Sequence, residues 1–171
     1  MNEINIFADS LCDIYEYFDE NFEKGICVNT SKVLNFFINK HEVFNNSCLI
    51  NLEYSAIFVN LIMCNDLQIK DVNEKYRKIN RPTDVISFAL FADSAPSERF
   101  VFDGEINLGD IFISLETTKR QAAENDVSFE YEFYYLISHS LLHLLGFDHQ
   151  DNMSYDFMVK MQEQATEYIN V

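Results

Sequence analysis

Three of the four histidines fall within eleven residues, His139-Ser-Leu-Leu-His143-Leu-Leu-Gly146-Phe-Asp-His149. If this stretch begins as a helix, His139 and His143 lie one turn apart, about 40° from eclipsed, and both rings leave one face. Gly146 then supplies a residue able to take positive φ and turn the chain back, so that His149 returns to the same point. Three neutral imidazoles with an open fourth position make a catalytic type of zinc site, because structural zinc is normally closed by four protein ligands. An isolated histidine is more often a satisfied surface or core residue. This clustering, in a chain with one other histidine, points to one bound ion instead.

A second group of residues suits a phosphate. Lys70, Lys75, Arg77, Lys78 and Arg81 stand against only Asp71 and Glu74, so residues 70–81 carry a local charge of +3 in a chain of net charge −16. A solvated helix with snorkelling lysines is the plain alternative. The overall charge opposes tight binding to nucleic acid, which draws on Lys and Arg. The first 23 residues hold seven acids and no base, and read as a solvated acidic face.

The elements that must position these groups follow from periodicity. The 171 residues suit one domain with ample apolar core, including 16 Phe and 9 Tyr. Glu3–Ala8 reads as a first strand and Asp13–Phe22 as a short acidic helix. Val33, Leu34, Phe37 and Ile38 mark a helix face with Thr30 or Ser31 as N-cap. The apolar run Ala56–Met63 suggests a strand covered on both faces. Asp66 then caps a helix with Ile69, Val72, Tyr76 and Ile79 on one stripe, ended by Pro82. Val85–Phe91 and Asp110–Ser114 read as strands, with Asp103-Gly104 as a type I′ turn before the latter. Helices follow at about 115–125, from Ser128, and along Met158, Met161, Ala165 and Tyr168. The expected class is α+β: a mixed sheet of about four strands, about five helices, and a metal site on the long C-terminal helix and its following turn. Cys12, Cys27, Cys48 and Cys64 show no C-x-x-C spacing and read as reduced, small hydrophobes. With no basic, apolar leader and no apolar run near 18 residues, the expected setting is cytoplasmic, away from membranes.

The ligand spacing is similar to that of the metzincin proteases, whose general base is a Glu next to the first His. That position here is Ser140. Losing a general base typically costs 10²–10⁴-fold in rate, so a peptidase is the weaker reading. A three-imidazole zinc site still lowers the pKa of water and polarises a substrate oxygen, which suits phosphodiester cleavage.

Three segments together resemble the YbeY family of metal-dependent bacterial endoribonucleases and rRNA maturation factors. His139–His149 is similar to its H-G-x-L-H-L-x-G-Y-D-H signature, Asn73–Phe88 to N-x-x-Y-R-x-x-x-x-P-T-D-V-L-S-F, and Gly109-Asp110-Ile111 to a G-D-I-x-I strand. The resemblance implies zinc on His139, His143 and His149, and Arg77 as the essential basic residue of the cleft, where a guanidinium fork suits phosphate oxygens. Pairing of Arg77 with Glu74 or Asp84 is the structural alternative. Lys75, Lys78, Arg81 and Asp84 become candidate substrate-binding residues, Asp84 equally a cap of the Pro-Thr-Asp turn. Asp148 is expected to orient a ligand or the turn. The implied substrate is single-stranded RNA, in particular the 3′ end of small-subunit ribosomal RNA. Small-subunit ribosomal proteins are candidate partners for the acidic face, and ribosome quality control is an associated role. A non-enzymatic, metal-stabilised ribosome-assembly factor remains the alternative. Two departures stand out: Ser140 replaces the family's Gly, expected on an exposed helix face, and Phe147 replaces its Tyr.

Overall fold

Alternation along each strand sorts its side chains onto two faces, and the two faces meet very different cover. The computed structural model describes residues 2–92, 94–149 and 151–171. Strands β1 (Glu3–Ser10), β2 (Ala56–Cys64), β3 (Val85–Ala89) and β4 (Glu105–Ser114) form one mixed sheet in the order β1-β2-β4-β3. β1, β2 and β4 run parallel, and β3 lies antiparallel on β4. Among the described residues, six α-helices complete an α+β domain: α1 (Glu20–Asn39), the single turn α2 (His41–Phe44), α3 (Asp66–Arg77), α4 (Leu115–Glu124), α5 (Phe129–Leu144) and α6 (Asn152–Ile169).

Ile57, Val59, Leu61 and Met63 of β2, with Ile106, Leu108, Ile111 and Ile113 of β4, enter the main core against buried residues of α1, α5 and α6. The uneven spacing along β4 reflects a bulge. Phe58 pairs with Asn107 and Val59 with Gly109, so Leu108 is the extra residue and the inward face changes parity there. Gly109 has φ +132°, and a Cβ at this position would lie 2.0 Å from the Phe88 carbonyl oxygen and 3.3 Å from the Leu144 side chain. Its missing side chain is what lets β3 and the last turn of α5 close on β4.

The opposite face is covered by α3 alone, through a small cluster of Cys64, Ile69 and Ile86 with Val72, Phe88 and Phe112 packed around it. The expectation that Ala56–Met63 would be covered on both faces is therefore met on one side only. Phe58, Asn60 and Ile62 stay half-buried, and Phe58 stacks on the exposed ring of Phe7 at 5.7 Å.

Other boundaries also differ from expectation. Residues 13–18 make a turn anchored by buried Ile14, whose carbonyl accepts from the amides of Tyr17 and Phe18. The first helix starts at Glu20, capped by Asp19, whose carboxylate accepts from the Asn21 and Phe22 amides. Thr30 is fully buried in its middle rather than a cap, since packing of Ile26, Val33, Leu34 and Phe37 overrides the polar run Asn29–Ser31. Asn65, not Asp66, caps α3 in a reciprocal box with Gln68. Asp66 instead accepts from the Ser114 and Thr117 hydroxyls, each at 2.6 Å, and from Arg120 at 3.3 Å. Burial would raise its pKa, but these three donors hold it below the ordinary carboxylate value. The stripe on α3 gives out early: Tyr76 is exposed, and Ile79 lies beyond the helix. Tyr168 likewise leaves the buried stripe of α6. β3 stops at Ala89, two residues short of the expected Phe91, which turns into the core.

The expected Asp103-Gly104 turn forms, both residues with positive φ and a reciprocal Phe102–Glu105 bridge. Helices over 115–124 and from Ser128, the latter capping its own helix, match their sequence readings. All four cysteines are free thiols. Among the described residues no helix is long and apolar enough to cross a membrane.

Gly109→Ala is expected to cost about 2–4 kcal/mol of unfolding free energy, combining positive-φ strain with a backbone clash. Gly25→Ala, inside α1 with its nearest contact at 3.7 Å, should instead stabilise by roughly 0.5–1 kcal/mol. Urea midpoints compare the two, and equal shifts would contradict this account of Gly109.

Candidate metal centre and cleft

Helix α5 owes its fixed rotation to burial nearly all round: Leu136, Ile137, Leu141, Leu142 and Leu144 are in the core. This leaves Glu132, Tyr135, His139 and His143 along the side that lines a cavity of about 1020 Å³. The helix ends in a Schellman turn. The Gly146 amide donates to the His143 carbonyl and the Phe147 amide to Leu142, both at 3.0 Å, with Gly146 at φ +98°. A Cβ at Gly146 would make only ordinary van der Waals contacts, the nearest 3.8 Å away, so the backbone sign alone requires glycine here. The Cys48 amide fastens this end by donating to the Leu145 carbonyl at 2.8 Å. Asp148 accepts from the amide of His149 at 2.8 Å, and α6 begins at its Asp151 cap.

The reversal brings His139, His143 and His149 together, with one ligating atom from each within 4.8 Å of the others. Among the described residues this is the group of His, Cys, Asp or Glu side chains with metal-ligand geometry. Because Gln162 Oε1 can only accept, His139 Nδ1–H donates to it at 3.2 Å, leaving His139 Nε2 as the ligating atom. That atom lies 3.0 Å from His143 Nε2, close to the separation expected for two imidazoles on one zinc at about 2.0–2.1 Å. Burial, the neighbouring rings of His139 and His149, and a backbone hydrogen bond to Phe147 that opposes them leave the His143 pKa at about 4. Burial also lowers His139, with Gln162 opposing. Neutral, convergent, oriented imidazoles form a donor set that fits a metal ion.

Arg77, at the end of α3, lines the same cavity and has no ion-pair partner within 4.0 Å among the described residues. It pairs with neither Glu74 nor Asp84. Asp84 lines the cavity too, but its oxygens are committed: Oδ1 accepts from the Val85 amide and Thr83 hydroxyl, and Oδ2 from Gln121. It acts as the cap of the Pro-Thr-Asp turn. Lys75, Lys78 and Arg81 are exposed and lie outside the cavity walls. Lys78 ends α3 in the left-handed conformation. Buried Asn73 donates from its side chain to the Arg81 carbonyl at 2.9 Å, which folds the basic loop back on the helix.

Sequence reasoning missed two groups. Gln162, 3% exposed, was detectable as a polar residue in the apolar stripe Met158–Met161–Ala165. Glu132, in the acidic first turn of α5, is 5% exposed and lines the cavity. Burial raises its pKa, Asn125 opposes and Asp84 adds to the rise. Its place seven residues before His139, on the same helix side, was the available signal. Ser140 corrects a further expectation. It is fully buried, its hydroxyl has no hydrogen-bond partner among the described residues, and it does not line the cavity. The substitution therefore bears on core packing, because the serine side chain lies in the core and outside the cavity lining. Phe147 keeps its packing role, stacking on Phe157 at 5.6 Å.

The family model described as Endoribonuclease YbeY matches residues 20–170. The Endoribonuclease YbeY of Prochlorococcus marinus is 34% identical over 160 residues, covering 80% of this chain and 87% of that protein. The protein of the same name from Heliobacterium modesticaldum is 42% identical over 110 residues, 62% of this chain and 66% of the relative. That from Synechococcus is 44% identical over 99 residues, 58% of each. The chain thus spans about three fifths to two thirds of the length of these two relatives. In fold it is similar to the solution structure of TM1509 from Thermotoga maritima, with a TM-score of 0.56 at 22% identity over 97% of this chain and 88% of that one. The triad, the cleft and a match across nearly the whole chain agree, and the protein belongs to the Endoribonuclease YbeY family.

Proposed function

We propose that this protein is a zinc-dependent endoribonuclease that cuts single-stranded RNA. Its role would lie in maturing the 3′ end of small-subunit ribosomal RNA and in ribosome quality control, in the cytoplasm. The observation that carries this reading is the sharing of one cavity by a convergent His triad and an arginine with no ion-pair partner among the described residues. Three imidazoles favour zinc over magnesium, which prefers oxygen ligands. When bound, the ion supplies Lewis-acid polarisation and a water of lowered pKa. His139, oriented by Gln162, holds it with His143 and His149. Arg77 presents its donor fork to the scissile phosphate and stabilises charge there as it develops. Lys75, Lys78 and Arg81 attract the flanking backbone from outside the cavity. Asp84 keeps the turn that sets the spacing between Arg77 and β3. Membership of the family and the free thiols support this assignment.

The acidic face keeps a second reading alive. Glu3, Asp9, Asp13, Glu16, Asp19 and Glu20 are all exposed, a surface complementary to a basic small-subunit ribosomal protein, so assembly without cleavage is the alternative. Arg77→Ala and His143→Ala should each lower cleavage of a single-stranded RNA by about 10²–10³-fold with the fold intact. Ribosome association of Arg77→Ala should be little changed. Cleavage by both variants at the wild-type rate would overturn the nuclease assignment, and ribosome binding without cleavage by any form would favour assembly.

Removing the metal should abolish cleavage yet leave the helical circular dichroism, because the core is complete without an ion. The metal-free protein should lose stability as pH falls. Unfolded imidazoles titrate near 6.5, whereas folded His143 stays neutral to about 4 and His139 is also depressed. Between those values the unfolded chain binds more protons, so this contribution is complete above about 6.5 and is lost on the way down to about 4. Denaturant midpoints at pH 7.5 and 5, compared with His143→Gln, isolate the effect. An unchanged slope in the variant would contradict it.

A further inference from the structure

The last turn of α3 carries an aromatic ring that burial does not explain. Tyr76 is 58% exposed, whereas Ile69 on the same helix is fully buried. Its ring meets Phe88 edge-on at 4.9 Å, and Phe88 meets Phe112 at 5.9 Å. Phe88 also lines the metal cavity. The Lys75 ammonium lies 4.9 Å from the Tyr76 ring centroid, and Arg77 enters the cavity on the other side in sequence. An aromatic step therefore leads from inside the cleft to solvent, with the Lys75 ammonium over its outer ring and Arg77, the next residue in the chain, on the cavity wall. It lies at the edge of the sheet face that α3 covers incompletely.

This combination selects its occupant. A membrane or apolar protein partner would gain from a wide apolar patch and would lose by desolvating Lys75 and Arg77. A single-stranded polynucleotide offers flat bases to the ring and phosphates to both cations, at a place continuous with the cleft. Resting on the reading of the cleft as an RNA site, we propose that Tyr76 is a stacking platform for a base just outside the cavity. Lys75 and Arg77 hold the phosphates on either side of that base.

The test is fluorescence anisotropy of the metal-loaded protein with a labelled single-stranded RNA of about ten nucleotides, read before turnover. Tyr76→Phe keeps the ring and should bind within about twofold of wild type. Tyr76→Leu keeps apolar cover over Phe88 but removes the ring, and like Tyr76→Ala should weaken binding about tenfold or more. An RNA with one abasic position, walked along the strand, should at one register erase the difference between wild type and Tyr76→Leu. Equal affinity of the Phe, Leu and Ala variants, or no abasic register that erases the difference, would overturn the platform while leaving the nuclease assignment intact. Ring-dependent binding by a protein that never cuts RNA would uphold the platform and remove the nuclease reading. Absence of RNA binding by wild type would remove the platform outright.

Discussion

Everything in the cleft is referred to the packing of α5 and to the way its last turn ends. Leu141, Leu142, Leu144 and Leu145 are fully buried, so the helix cannot rotate without opening the core. The directions of His139 and His143 are thereby set. The Schellman turn at Gly146, tied from outside by the Cys48 amide, then returns the chain so that His149 faces them. Gly109 sits against the last turn of α5, where a Cβ would lie 3.3 Å from the Leu144 side chain. Backbone closeness in the sheet and ligand geometry in the cleft are thus one packing problem.

Burial of the site sets its chemistry as well. Half-buried imidazoles lose solvation when charged, which holds His139 and His143 neutral where an exposed histidine would take up protons. Gln162 adds orientation at little electrostatic cost, since a neutral amide fixes the His139 ring without contributing charge. Arg77 lines the cavity with no carboxylate partner among the described residues, which leaves its charge available to a substrate. The net charge of −16 is largely a matter of other surfaces, notably the acidic residues before α1. The cavity wall itself sets Arg77 against Asp84, Glu132 and Asp148, so the local excess of cations lies beside the cleft, on residues 70–81.

The two faces of the sheet divide the labour. One is sealed by three helices and supplies stability. The other has α3 alone and leaves a run of aromatics partly open. Ser140 belongs to the sealed side: a residue beside a ligand in sequence lies about 100° around the helix from it, here in the core. Adjacency in a motif is no guide to adjacency in a site.

Much of this protein was legible in its residues. The His139-x3-His143 spacing implies a shared helix face, Gly146 a reversal, and Ser128 a helix start, because each rests on local geometry that 3.6-residue periodicity or positive φ imposes. The strand cores at 56–63 and 110–114 and the Asp103-Gly104 turn were readable for the same reason. Tertiary structure alone decided what depends on partners distant in the chain. Thr30 became mid-helix because apolar burial outweighs local capping preference, and Asp66 became a link between α3 and α4 rather than a cap. Glu132 and Gln162 entered the cleft because α5 and α6 happen to enclose it. The pairing of Arg77 with three histidines more than sixty residues away follows from the β3–β4 pairing, which no local pattern encodes. Local physics specifies the ligands and the turn that gathers them, while the packing of α5 on the sheet determines what else they face.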